Sequence, residues 1–439
     1  MLDCPAGHDE RLLDQARRLV NSTVSPKEIR AHLYSIVKMH EQWRGTQCIN
    51  LIAAEAQTSR EVRQLLTSDL GCRASGGHIG AENRFFAGLD EADRLEALCI
   101  SVLTDLFSCA RADPRLLGGM HATTVTYAVL KRYGDTVMSL PEWGGGDTSN
   151  RQEGPPGVLG YQIHDIPVVV ETLDIDLDQF EEMARRIKPA IVALGASVNL
   201  FPYPVSQIKD IIEQWGGILY FDGAHQAGLI AGKCYPNPLE GKADILSGST
   251  GKTLSGPQGG LLCWNDDRFT GAISEMIFPV LTGTHQLNRV AALTLAALEL
   301  QEFGQPYMAQ MVSNAQALGR SLEAHSLTVL GSERNYTQTH QVVIDVGDLG
   351  GGHKTARKLA KVGIIANKAM LPVDRDTSAY SGLRFGTAEV TRLGMKELEM
   401  DSIGRQIAEQ ILDRRASYDI EREVRSLRKR FDRLLYCWD

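Results

Sequence analysis

Two short stretches hold residues that could do chemistry together. One is a loop of small residues around a lysine: Ser247-Gly248-Ser249-Thr250-Gly251-Lys252-Thr253, then Leu254-Ser255-Gly256-Pro257-Gln258-Gly259-Gly260. The other is an acid at the end of an apolar run. Gly217-Ile218-Leu219-Tyr220-Phe221 leads into Asp222, then Gly223-Ala224-His225-Gln226-Ala227-Gly228. A lysine amine forms Schiff bases with carbonyl compounds. An acid fixed at a strand end can keep a pyridinium nitrogen protonated, so that the ring draws electrons from whatever is attached to it. Asp222 followed by Lys252 therefore suits pyridoxal 5'-phosphate. Gly251-Lys252-Thr253 also matches the end of a nucleotide-binding P-loop. That motif needs a glycine where Leu246 stands and a helix starting at the lysine. Gly256, Pro257, Gly259 and Gly260 argue against such a helix.

The elements around these residues follow from periodicity. From residue 134 onward short strands alternate with helices: strand 136–140, helix 177–187, strand 190–194, helix 205–215, strand 218–221. This alternation predicts an α/β fold, a mostly parallel sheet with helices on both faces. Ligands bind such sheets at the carboxyl ends of the strands, where Asp222, Ser197 and Trp143 all fall. A glycine-rich loop runs from Cys72 to Gly80 and is closed by Arg84-Phe85-Phe86-Ala87-Gly88. Gly118-Gly119-Met120-His121-Ala122-Thr123-Thr124 opens a further helix. Its small and hydroxyl residues offer N–H and O–H groups to a phosphate, or an ordinary N-cap at Thr123 or Thr124. Gly144-Gly145-Gly146 either lets backbone pass close to a ligand or forms a turn.

The domain expectation is a helical arm over 1–45, a large cofactor-binding domain over 46–290 and a smaller C-terminal α+β domain over 291–439. An apolar helix at 287–303 links the last two. The net charge of −8 and the lack of a long basic run disfavour nucleic acid or an anionic membrane as partner. The eight cysteines contain no C-x-x-C pair, which points to reduced thiols in a cytoplasm and to no metal site. Met1-Leu2-Asp3-Cys4-Pro5 is no signal peptide.

With these residues in view, the chain resembles serine hydroxymethyltransferase and its relatives, the fold-type I enzymes that use pyridoxal phosphate. The likeness covers roughly 50 to 395 and rests on motifs in order. They are Leu51-Ile52-Ala53-Ala54-Glu55, Asp222-Gly223-Ala224-His225, Lys252-Thr253-Leu254, Phe278-Pro279, Ala366-Asn367-Lys368 and Gly382-Leu383-Arg384-Phe385-Gly386-Thr387. The resemblance implies a seven-stranded sheet and a homodimer with shared sites. Lys252 would be the Schiff-base lysine, Asp222 would pair with the ring nitrogen, and His225 would lie near the ring. Ser197 would bond the ring hydroxyl. Ala122, Thr123 and Ser249 would hold the phosphate. Gly283 and Thr284 would add N–H groups from the neighbouring subunit. Arg384, with Glu55, would bind the substrate, the arginine gripping its carboxylate. Trp143 falls where the family stacks a histidine on the ring.

The departures from the family point to the reaction. The loop near Arg73 to Ser75 lacks the family's tyrosine and catalytic glutamate, and no glutamate lies between Arg73 and Ala81. Phe86 replaces a second tyrosine, Ala369 replaces a folate-contacting asparagine, and Gly251 replaces the histidine before the lysine. These losses disfavour folate-dependent hydroxymethyl transfer. Tyr336-Thr337-Gln338-Thr339-His340-Gln341-Val342 and Met311-Val312-Ser313-Asn314-Ala315 look like the threonine transaldolases, although those usually keep the histidine that Gly251 replaces. The expectation is folate-independent aldol or transaldol chemistry on a small β-hydroxy amino acid through a Cα carbanion, with an aldehyde as co-substrate. The alternative is oxygen-dependent oxidation or decarboxylation of an amino acid. Arg73, His78, His121 and His340 each stay open between a site role and a structural one, and His225 between ring contact and structure.

Overall fold

The computed structural model describes residues 9–21, 24–375 and 379–438. The Met1–Pro5 start and its signal-peptide reading lie outside the described residues. Helices Glu10–Val20 and Pro26–Gln42 form the N-terminal arm, and neither buries a residue. Ser25 caps the second with a reciprocal Ser25–Glu28 capping box.

A seven-stranded sheet carries the first core. Its order is Arg111–Asp113, Gly260–Trp264, Ile245–Ser249, Ile218–Asp222, Ile191–Gly195, Thr136–Ser139, Gln162–Asp165. The last five strands run parallel, and Gly260–Trp264 pairs antiparallel with both its neighbours. Strands 191–195, 218–222 and 245–249 are buried at every position. Helices on both faces cover these strands, which is why 191–194 and 218–221 read as continuous apolar runs. The carboxyl ends of 218–222 and 245–249 lie side by side, with Asp222 in register with Ser247.

A second core lies around a four-stranded antiparallel sheet ordered Asn367–Ala369, Gly382–Gly386, Gln341–Asp345, Thr328–Val329. The helix expected at 287–303 runs unbroken over Leu287–Ala324. Pro306 does not end it. Pro306 and Glu302, whose carbonyl loses its partner, are both exposed, so water can satisfy that carbonyl. The helix passes between the cores: Val290 to Met311 pack in the first, Ala315 to Leu322 in the second. Ile49 and Leu51 also pack in the second core, and Ile49–Asn50 pairs parallel with Ile364–Ile365. The large-domain expectation had put this segment in the first unit. No described helix is long and apolar enough to cross a membrane.

Candidate active site

The site lies where the parallel strands end. Asp222 closes its strand, and the turn that follows holds His225. The loop after Ser249 holds Lys252. Thr253 ties the two together: its hydroxyl donates to the His225 carbonyl at 2.8 Å and accepts from Gly228 N–H at 3.0 Å. A Cβ on Gly228 would stand 2.3 Å from the Thr253 carbonyl, so only glycine permits this approach. The loop closes on itself through Thr250 N–H to Gly259 O at 3.0 Å and Gly256 N–H to Thr250 O at 2.8 Å. The Gln258 side chain lies over Gly251, where a Cβ would meet it at 2.7 Å.

Lys252, Asp222 and His225 line one cavity of about 180 Å³ together with Gly119, Thr123, Asp147, Ser149, Ala196 and Ser249. Asp222 is buried and receives four donors. Ala224 N–H and Ser247 Oγ reach Oδ1, each at 3.2 Å. Asn150 Nδ2 reaches Oδ2 at 3.0 Å and Ser149 Oγ at 3.4 Å. Burial, then repulsion from Asp147, still pushes its carboxyl up from the ordinary range. Burial holds the Lys252 amine below the usual lysine range, against the pull of Asp222 and Asp147. Burial, then Lys252 and Arg384, keeps His225 neutral, its pKa well below the usual value. Its ring stacks on His340 with centroids 5.6 Å apart.

Arg384 enters from the second sheet. Its guanidinium is buried and donates to the Ser197 carbonyl, and to Ser197 Oγ at 2.8 Å. Its Nε reaches Asn367 Oδ1 at 3.4 Å. Among the described residues no carboxylate pairs with it. Burial brings its pKa down to about 10.

Other expected residues lie elsewhere or act otherwise. Ala122 is a correction: its N–H is spent on the Gly118 carbonyl at 3.0 Å inside the helix, and it is fully buried. That helix starts at Gly119, so the N–H groups without an intrahelical acceptor are those of Gly119, Met120 and His121. The N-cap alternative at Thr123 or Thr124 fails for the same reason. Thr123 Oγ instead bonds the Gly119 carbonyl at 3.2 Å and Tyr220 Oη at 3.1 Å. Trp143 does not line the cavity; the Arg375 guanidinium stacks over its ring at 4.9 Å. Ser197 lines a second, adjoining cavity with Glu142, Asp147, Lys368 and Tyr380. Glu55 pairs with Arg44 and accepts from Asn50 Nδ2 at 2.9 Å, in a separate depression with Glu389. Gly283 and Thr284 are exposed.

The residues left open now have places. Arg73 pairs with Asp69 at 2.6 Å on the surface. His78 Nδ1 lies 3.2 Å from Ser274 Oγ and 3.3 Å from Arg115 Nη1, and burial lowers its pKa. His121 Nδ1 accepts from Leu117 N–H at 3.1 Å, and burial lowers its pKa too. His340 Nε2 donates to the Ala53 carbonyl at 3.0 Å, and burial drives its pKa to about 3. The sequence reading missed Asp147, Ser149 and Asn150. A signal was present: all three follow the Gly144–Gly146 turn beyond a strand's carboxyl end.

Pyridoxal phosphate fits what this cavity leaves open. Lys252 faces it, His225 Nδ1 is buried without a partner, and a helix N-terminus with free N–H groups opens beside Ser249. Burial disfavours the Asp222 carboxylate, and a pyridinium N–H beside it would offset that cost. Fold and site together define a fold-type I pyridoxal-phosphate enzyme. A family model for serine hydroxymethyltransferase matches residues 27–407. The chain is 37% identical over 403 residues to serine hydroxymethyltransferase of Methanopyrus kandleri, covering 91% of this chain and 93% of that one. It is 36% identical over 393 residues to the Archaeoglobus fulgidus enzyme of the same name, covering 89% of each. Among solved structures it superposes on L-threonine transaldolase from Pseudomonas fluorescens, in its internal aldimine state, with TM-score 0.85. That pair is 26% identical, over 98% of this chain and 96% of the other. The chain belongs to the serine hydroxymethyltransferase family and is a pyridoxal-phosphate-dependent transferase.

Proposed function

We propose that this enzyme makes and breaks the Cα–Cβ bond of a small β-hydroxy amino acid without folate, by aldol or transaldol exchange with an aldehyde. One observation carries the reading. The cavity that presents Lys252 to an amino acid held near Arg384 is furnished for Cα chemistry, yet no glutamate lies between Arg73 and Ala81 to serve hydroxymethyl transfer. The likeness to a threonine transaldolase supports it.

In this reading Lys252 Nζ holds the cofactor covalently, Asp222 takes its ring nitrogen and Ser249 sits at its phosphate. Bound pyridoxal phosphate stabilises negative charge on the Cα attached to it. Arg384 orients the amino acid by its carboxylate, a task suited to a bidentate fork. That grip decides which Cα bond stands perpendicular to the ring and breaks. Burial keeps His225 uncharged, so it does not compete for the carboxylate. Gly283 and Thr284, exposed here, would complete the phosphate site of a partner subunit in a homodimer, and the arm that buries nothing would wrap that partner. The cysteine pattern supports a cytoplasmic enzyme.

A second reading, folate-dependent hydroxymethyl transfer, is favoured by the names of the curated relatives. One experiment separates them. Purified, cofactor-loaded enzyme is mixed with serine or threonine, with and without tetrahydrofolate, while aldehyde release and oxygen uptake are recorded. Acetaldehyde from threonine without folate or oxygen uptake supports the proposal. Strict dependence of serine cleavage on tetrahydrofolate, or oxygen uptake coupled to turnover, sinks it.

A further inference from the structure

We propose that Asp147 is the acid–base residue of this site, exchanging a proton with the β-oxygen of the amino acid as the Cα–Cβ bond breaks and forms. This rests on the aldol reading above. Asp147 reaches the site through a turn only glycine can make. Gly145 has φ +92°, and a Cβ there would stand 2.5 Å from the Val198 carbonyl; at Gly146 it would stand 2.1 Å from the Leu140 carbonyl. That tight passage fixes the next residue at the cavity wall. Asp147 Oδ1 accepts from Ser149 N–H at 3.0 Å, and among the described residues its carboxylate takes no other hydrogen bond.

Its position is singular. Asp147 lines the cavity of Lys252 and Asp222, and also the adjoining cavity of Ser197, Lys368, Tyr380 and Glu142. It is the carboxylate common to the place where Cα sits in the proposed reading and the place where a leaving or arriving aldehyde has room. The other groups are placed or bonded otherwise. Asp222 already accepts from four donors. Lys252 is committed to the cofactor, His225 lines the first cavity and not the second, and Arg384, which lines neither, is a cation bonded to Ser197. Glu142, Lys368 and Tyr380 face only the second cavity.

The step balances without a further reactant. The β-hydroxyl proton passes to the Asp147 carboxylate, and the O–H electron pair becomes the second bond of the aldehyde carbonyl. The Cα–Cβ pair remains on Cα, and the aldehyde departs. In the forward addition the Asp147 carboxyl returns the proton to the carbonyl oxygen of the acceptor as the new Cα–Cβ bond forms. Nothing is oxidised or reduced.

The test compares threonine with 2-aminobutyrate, which has the same skeleton without the hydroxyl, by titrating the bound cofactor's absorbance. A hydrogen bond to a charged acceptor should make wild type prefer threonine by about tenfold. Asp147→Ala should bind both equally. Asp147→Asn keeps the volume and the contact to Ser149 N–H, so it carries the chemical arm even if the alanine variant fails to fold. It should hold cofactor, lose about 10²-fold or more in threonine cleavage, and keep exchange of the glycine Cα proton with deuterated solvent. An undiminished hydroxyl preference in Asp147→Ala overturns the assignment. So does Asp147→Asn cleaving threonine as fast as wild type, or losing glycine exchange to the same degree as cleavage. If wild type itself releases no aldehyde, the aldol reading fails, and the hydroxyl preference still decides the Asp147 contact.

Discussion

Two regions bury similar charges in opposite ways. Beneath the 72–80 loop, Arg84 pairs with Glu96 at 2.6 Å and with Asp93 at 2.8 Å. His285 Nε2 meets Glu96 at 2.8 Å, and Ser75 Oγ donates to the His285 carbonyl at 2.6 Å. Arg115 pairs with Asp113 at 2.7 Å alongside. These charges close on one another. In and near the Lys252 cavity they stay open: among the described residues Arg384, close by, has no carboxylate, Asp222 has neutral donors but no paired cation, and His225 Nδ1 has nothing. A buried charge left unpaired opposes folding unless something arrives to meet it. The closed cluster holds the loop in place, and the open one is arranged for a cofactor and a charged substrate.

The largest expected effect falls on the open side. Lys252→Ala should abolish the visible absorbance of lysine-bound cofactor and all turnover, while leaving far-UV circular dichroism unchanged. Retention of that band would remove Lys252 from its place in the comparison. Arginines from the two regions sharpen it further. Arg84→Ala takes the cation from Glu96 and Asp93 and leaves Glu96 only the His285 ring, and calorimetry should find stability lower by about 3–5 kcal/mol. Arg384→Ala strands no carboxylate, so unfolding of the cofactor-free protein should stay near wild type. Amino-acid affinity should instead fall by about 2–5 kcal/mol, since the substrate carboxylate loses its charged partner. Equal losses of stability in both variants would erase the distinction.

The open region was legible in the sequence where its signals were local. Asp222 ends an apolar strand and Lys252 sits in a glycine-rich loop, so both could be placed from their neighbours alone. The parallel sheet followed from strands and helices in alternation. Errors arose where one residue of register decides the outcome. The helix beside Ser249 starts at Gly119, with Gly118 as its N-cap, so the free N–H groups precede Ala122. Resemblance gives Trp143 the ring-stacking place, whereas the residue that lines the cavity is Asp147, beyond the Gly144–Gly146 turn. The helix expected over 287–303 runs on past Pro306 because that proline is exposed and water can serve the orphan carbonyl, which is a tertiary fact. Glu55 follows a strand whose partner, Ile364–Ile365, lies some three hundred residues away in sequence, and no local pattern reveals that.

The smallest effect tests whether the histidine pair belongs to the open side. His225 and His340 are neutral in the folded protein because burial disfavours their charged forms. Their folded pKa values lie below the unfolded one of about 6.5, that of His340 at about 3. The unfolded chain therefore binds protons below pH ~6.5 that the folded chain refuses. The contribution of these rings to stability is constant above that pH and declines as pH falls below it, that of His340 by about 1.4 kcal/mol per pH unit until pH about 3. His340→Gln puts an amide donor at the reach of Nε2 toward the Ala53 carbonyl and removes one of these titrations. Denaturant unfolding between pH 6 and pH 4 should then show a slope shallower by about that amount, with no change above pH 7. An unchanged slope would mean that His340 takes up its proton in the folded state. It would then be a charged neighbour to His225 and Arg384, and would compete with Arg384 for the substrate carboxylate.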